Sequence, residues 1–93
     1  MFVGICQMDL LVQSSQSLKE KRFILKSIKD RVKRKFNVAI AEVDHLDKWQ
    51  LAGLGMATVT NEYRIVQKTF DEIIKLIEAS GDAEVVSHTI DIQ

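Results

Sequence analysis

Read from one end to the other, the hydrophobic period of the chain switches between two and about 3.6 residues, and the order of those switches leaves few folds open. Residues 2–12 alternate as a strand does, with Phe2, Gly4, Cys6, Met8, Leu10 and Val12 on one side and Val3, Ile5, Gln7, Asp9 and Leu11 on the other. From Ser17 to Phe36 the period becomes helical: Leu18, Ile24, Leu25, Ile28, Val32 and Phe36 share one arc at about 100° per residue. Residues 38–44 read as a second strand. A polar hairpin around Leu46, Asp47 and Lys48 leads to a third strand from about Trp49 to Thr60. Thr60 or Asn61 can cap a second helix, which runs to about Ser80 with Ile65, Val66, Phe70, Ile73, Ile74 and Ile77 on one broad face. Gly81 and Asp82 stop it. In the last strand, Glu84–Ile92, the set Val86, His88, Ile90 and Ile92 alternates with Val85, Ser87, Thr89 and Asp91.

The order β-α-β-β-α-β is that of the split βαβ, or ferredoxin-like, α+β fold. Right-handed crossovers place both helices on one side of a four-stranded antiparallel sheet with spatial order 4-1-3-2, leaving the other side bare. The 93 residues suit one domain spanning 1–93, with Ile24, Ile28, Val32, Phe70, Ile73 and Ile77 in the core between helices and sheet. The third strand offers two alternate sets. Trp49, Leu51, Gly53, Gly55, Ala57 and Val59 form one, and Gln50, Ala52, Leu54, Met56, Thr58 and Thr60 the other. If the glycine-bearing set points away from the helices, it forms a flat apolar strip open to the close approach of another backbone, and so to a homodimer.

The first helix carries most of the positive charge. Ser17 and Glu20 have the spacing of a capping box, the serine oxygen accepting the Glu20 N–H and the carboxylate the Ser17 N–H. Its last turn holds Arg34 and Lys35, as the helix dipole favours, and Asn37 ends it. Residues 17–36 hold nine Lys or Arg against Glu20 and Asp30, a net of +7, while the rest of the chain holds four basic and eleven acidic residues, a net of −7. Lys19, Arg22, Lys26, Lys29 and Lys33 recur at spacings of three and four, which lines them up as a basic stripe beside the apolar arc. Such a stripe steers polyanions or acidic partner surfaces to one side of a molecule. It can equally be a solvated face, or be neutralised within the fold by the acidic remainder.

Other chemistries find little support. No apolar run approaches the length of a membrane span and the start has no basic secretory segment, so a cytoplasmic protein is expected. Cys6, the lone cysteine, reads as a small buried hydrophobe. Asp44, His45 and Asp47 have the side chains of a metal or acid–base site, but Asp44 and His45 point to opposite faces of a strand and Asp47 is explained by turn chemistry. Trp49 is expected to pack over the hairpin, and His88 to sit at the edge of the core. Gly53 and Gly55 lie mid-strand, where they cannot form a phosphate loop. No catalytic residue, metal or cofactor is expected.

SLKEKR at Ser17–Arg22, together with FNVAIAEVDHLDKWQLAGLG at Phe36–Gly55, resembles the YlxP-like family of small bacterial proteins, a family without an assigned biochemical function. The resemblance covers nearly the whole chain and implies the same ferredoxin-like architecture. It also implies an association with translation, because genes of the family often neighbour those for translation initiation factor two and ribosome-binding factor A. The chain departs from the family pattern at Leu51, where arginine commonly follows the Trp-Gln pair, and at Lys48, where an apolar residue is common. Two expectations follow. One is an RNA-binding or ribosome-associated protein in which Lys19, Arg22, Lys26, Lys29 and Lys33 contact the phosphates of ribosomal RNA. The other is a homo-oligomeric interaction module whose stripe binds an acidic protein. The bare sheet lacks the aromatic pattern of an RRM, so the first favours double-stranded or shape recognition.

Overall fold

The computed structural model describes residues 1–93. In chain order the elements are β1 (Phe2–Leu11), α1 (Leu18–Lys35), β2 (Ala39–Asp44), β3 (Leu51–Thr60), α2 (Tyr63–Ala79) and β4 (Glu84–Ile92). The sheet is antiparallel with order β2-β3-β1-β4, the arrangement expected from the alternation of periods.

The core lies where one face of the sheet meets the two helices. Cys6, Met8 and Leu10 of β1 and Ala52, Leu54 and Met56 of β3 pack against Leu25, Ile28 and Val32 of α1 and Val66, Phe70, Ile73 and Ile77 of α2. The buried positions recur at steps of three and four on each helix and at every second residue on each central strand, as burial on one face requires. Of the expected core set, Ile24 is the exception: it is only partly buried and packs at the margin.

The glycine-bearing set of β3 does point away from the helices, since Ala52, Leu54, Met56 and Thr58 take the buried face. The space above those glycines, however, is already taken. A Cβ built on Gly53 would lie 2.6 Å from Asp44 Cβ, and one on Gly55 would lie 3.0 Å from a Val43 methyl. The close backbone approach that the glycines permit is therefore made by the neighbouring strand β2.

β1 and β3 pair without interruption from Phe2↔Thr60 to Leu11↔Leu51. Both outer ladders slip by one residue. Val43 is the extra residue of β2 between Glu42↔Leu54 and Asp44↔Gly53, and Val86 is the extra residue of β4 between Ser87↔Asp9 and Val85↔Leu10. The second slip changes the expected partition of β4. Val85 turns toward the core and Val86 is half exposed, while His88, opposite Met8, is exposed at the rim.

The helix ends are close to expectation, with local shifts. Ser17 Oγ accepts the Glu20 N–H at 3.1 Å, but the Glu20 carboxylate reaches one residue further back, to the Gln16 N–H at 2.9 Å. Phe36, with extended backbone, caps α1 one residue before Asn37. Glu62 occupies the cap position of α2 without a side-chain bond, and Thr60 Oγ1 accepts its N–H at 3.1 Å. Gly81 ends α2 with φ +77, a left-handed conformation that favours glycine.

Candidate nucleic-acid interface

The position of α1 depends on a residue that a charge count hides. Lys21 falls on the buried side of the helix with Leu25, Ile28 and Val32, at spacings of four, seven and eleven. Its side chain is 0% exposed, and its ammonium donates to the carbonyls of His45 at 2.9 Å and Leu51 at 3.1 Å. Glu42 Oε2, at 2.9 Å, completes the set as an ion pair and has no other polar partner. The ammonium thus has two carbonyl acceptors and a carboxylate counter-charge beside it, the conditions under which a buried cation is tolerated. The segments Ser17–Arg22 and Phe36–Gly55, which carry the family resemblance, meet at this nitrogen. Lys21 fastens the start of α1 to the β2–β3 connection.

With α1 fixed in this way, the stripe lies to one side. Arg31 and Lys35 line a groove against Glu72, Lys75 and Leu76 of α2. Lys19, Arg22, Lys26, Lys29 and Lys33 lie far from these two around the helix and so occupy the flank away from α2. Lys19, Arg22, Lys26 and Lys33 are exposed and Lys29 is partly buried. None of the five has a carboxylate within ion-pairing distance; the ion pairs of the molecule involve only Lys21 and His45. The acidic remainder therefore does not neutralise the stripe by contact. Along the helix axis the row measures about 20 Å.

Phe23 also stands on the exposed side of α1, 76% accessible, between a hollow lined by Lys19 and Glu20 and another lined by Lys26, Ser27, Asp30 and Arg34. In the sequence it belongs neither to the apolar arc nor to the basic stripe. Its offset from the apolar arc was the signal available, since it lies two residues before Leu25 and five before Ile28.

The hairpin residues converge differently from the expected trio. His45 adopts φ +58, and its N–H donates to Asp44 Oδ1 at 2.8 Å. This turn, next to the Val43 bulge, brings the imidazole to β1, where Nε2 is 3.3 Å from Asp9 Oδ1 and 3.7 Å from Asp44 Oδ2. Ser87 Oγ lies 3.4 Å from the other Asp9 oxygen. Asp9, not Asp47, is the residue that joins Asp44 and His45. No group of three or more His, Cys, Asp or Glu has an arrangement suited to a metal ion. Trp49 is 57% exposed. Cys6 is fully buried, and burial pushes its thiol up to about 11 from 9.0, which keeps it protonated and unreactive at neutral pH. No helix is long and apolar enough to cross a membrane.

Comparison with solved structures reinforces the fold. A de novo designed protein with ferredoxin fold, LFR1 1, is similar with a TM-score of 0.59 at 14% identity, over 97% of this chain and 84% of that one. The de novo designed protein Foldit4 is similar with a TM-score of 0.56 at 11% identity, over 100% of this chain and 97% of that one. In sequence, the chain is 33% identical over 82 residues to the uncharacterized protein YlxP of Bacillus subtilis (strain 168), covering 88% of this chain and 89% of that protein. The model of a family described as protein of unknown function (DUF503) matches residues 3–90. With the ferredoxin-like architecture in place and both resemblance segments joined at Lys21, the chain belongs to this family, in which YlxP is its relative.

Proposed function

We propose that the chain is an RNA-binding, ribosome-associated protein that docks through the flank of α1. The observation that carries this reading is the unpaired stripe Lys19, Arg22, Lys26, Lys29 and Lys33, collected on one side of a helix whose orientation is fixed by a buried lysine. Cations without internal partners remain free to displace the counterions of a phosphate backbone, so binding is electrostatic and salt-dependent. Phosphate contacts of this kind position a protein without reading bases. The association with translation implied by the family resemblance makes ribosomal RNA the RNA of choice.

Co-sedimentation with ribosomal particles at low and high salt, together with titration of ribosomal RNA fragments, tests the proposal. Binding is expected at about 50 mM salt and should fall steeply by about 200 mM. Changing both Lys26 and Lys33 to Gln should weaken binding to different RNA sequences alike and flatten the salt slope by about two units, one per phosphate contact. Undetectable binding at low salt, or an unchanged slope, makes the stripe a solvated face.

A second reading, a homo-oligomeric interaction module, draws support from the open sheet face, where Ile5 is 39% exposed and Val43 and Val59 are each 51% exposed. Large apolar side chains grouped on an otherwise bare sheet favour a second copy of the chain as occupant, with a closed two-fold dimer as the default symmetry.

A further inference from the structure

Phe23 is one of the most exposed apolar side chains of the molecule, yet it lies on the most highly charged element. The hollow on its C-terminal side, about 220 Å³ in volume, is lined by Phe23, Lys26, Ser27, Asp30 and Arg34. Lys26 and Arg34 are exposed and make no ion pair, and the Asp30 carboxylate between them accepts no hydrogen bond from within the chain. The hollow thus combines an aromatic surface, an unclaimed acceptor with two oxygens and two unclaimed cations. The hollow on the other side of Phe23 differs, because its carboxylate, Glu20, is already held by the Gln16 N–H at 2.9 Å.

A protein partner would be expected to meet a central apolar cluster, and Phe23 has only polar and charged neighbours in this hollow. A nucleotide fits the set better. A nucleobase stacks on an aromatic ring whatever its sequence, its Watson–Crick edge is read by hydrogen bonds, and its phosphates need cations on either side. Guanine is the base whose edge presents two adjacent N–H donors to the two oxygens of a carboxylate.

We propose that this hollow receives a single unpaired guanine of the RNA docked on α1: the base stacks on Phe23, its N–H edge meets Asp30, and its flanking phosphates lie against Lys26 and Arg34. The inference rests on the RNA-docking reading and refines it from uniform duplex contact to recognition of a bulged or looped nucleotide beside a helix.

The test uses the full chain and two synthetic RNA hairpins, one fully paired and one with a single bulged guanine. The unmodified protein is expected to prefer the bulged hairpin by about tenfold, within the range that stacking on an aromatic side chain provides. Phe23→Ala should abolish that preference while leaving affinity and salt slope on the paired hairpin unchanged, and Phe23→Trp should preserve it. Asp30→Asn should remove discrimination between a bulged guanine and a bulged adenine. A preference that survives Phe23→Ala, equal binding of both hairpins by the unmodified protein, or guanine discrimination that survives Asp30→Asn overturns the proposal. If the unmodified protein binds neither hairpin, RNA docking through α1 fails as well, and the two failures are thereby told apart. Because Phe23 is 76% exposed, an unchanged melting temperature for Phe23→Ala confirms that the comparison is made on folded protein.

Discussion

Replacing Lys21 with Met keeps a long apolar stem but removes the ammonium, leaving Glu42 as a largely buried, unpaired carboxylate and withdrawing a donor from two carbonyls. A loss of roughly 3–5 kcal/mol is expected in urea denaturation, the usual cost of breaking a buried pair from one side. Adding Glu42→Leu should recover part of the loss, because removing both charges leaves neither uncompensated. Cys6 gives a second expectation. Its thiol is raised from 9.0 to about 11 by burial, so below pH 9 both folded and unfolded chains hold the proton and stability is unaffected. Between those values the unfolded chain ionises and the folded chain does not, so stability falls as pH rises, by roughly 2–3 kcal/mol in total. A Cys6→Ala protein should show a flatter alkaline limb when melting temperature is followed from pH 8 to 11. Neither residue was equally legible beforehand. The apolar neighbours of Cys6 announce its burial, whereas a charge count places Lys21 with the basic residues even though its spacing to Leu25 and Ile28 puts it inside.

At the level of elements, α1 and β2 support each other. Ile28 is fully buried on the sheet-facing side of α1, and Ile28→Ala should cost roughly 2–5 kcal/mol, measurable as a lower denaturation midpoint. Gly53→Ala tests the other side of the sheet. The added methyl would meet Asp44 Cβ at 2.6 Å and its backbone at 3.2 Å, so β2 has to move, at a cost of roughly 1–3 kcal/mol. That shift should also separate His45 from Asp9, seen as a change in the imidazole resonances of His45. The helices and strands themselves were readable because each obeys one period throughout its length. The convergence of Asp9, Asp44 and His45 was not, because it depends on an extra residue in β2 and on a positive φ at His45, and neither leaves a mark on hydrophobic alternation.

For the molecule as a whole, the fold follows from the order of periods, but the two surfaces differ in how far they can be read. The basic flank is a matter of helix spacing and survives from sequence to structure. On the open sheet face the choice between the two alternate sets of β3 had to be made by packing, and β2 then filled the space over the glycines. The substitution that probes self-association follows from this. Val59, 51% exposed and clear of the β2 bulge, is the position at which Arg should shift a dimer toward monomer without damaging the fold. Sedimentation equilibrium is expected to give a dimer mass for the unmodified protein and a lower one for Val59→Arg; a monomer mass for the unmodified protein at high concentration excludes the second reading.

The two slips in the outer ladders lie at one level of the sheet, on either side of the pair Asp9↔Gly53. A transverse crease therefore crosses β2 and β4 but leaves the central pair β1–β3 continuous over its ten residue pairs. Bulged ladders open locally, whereas an uninterrupted central pair opens only when the whole chain does. In amide hydrogen exchange the molecule should consequently resolve into two populations, a slow spine in β1 and β3 whose protection equals global stability, and outer strands that exchange earlier, starting from Val43 and Val86.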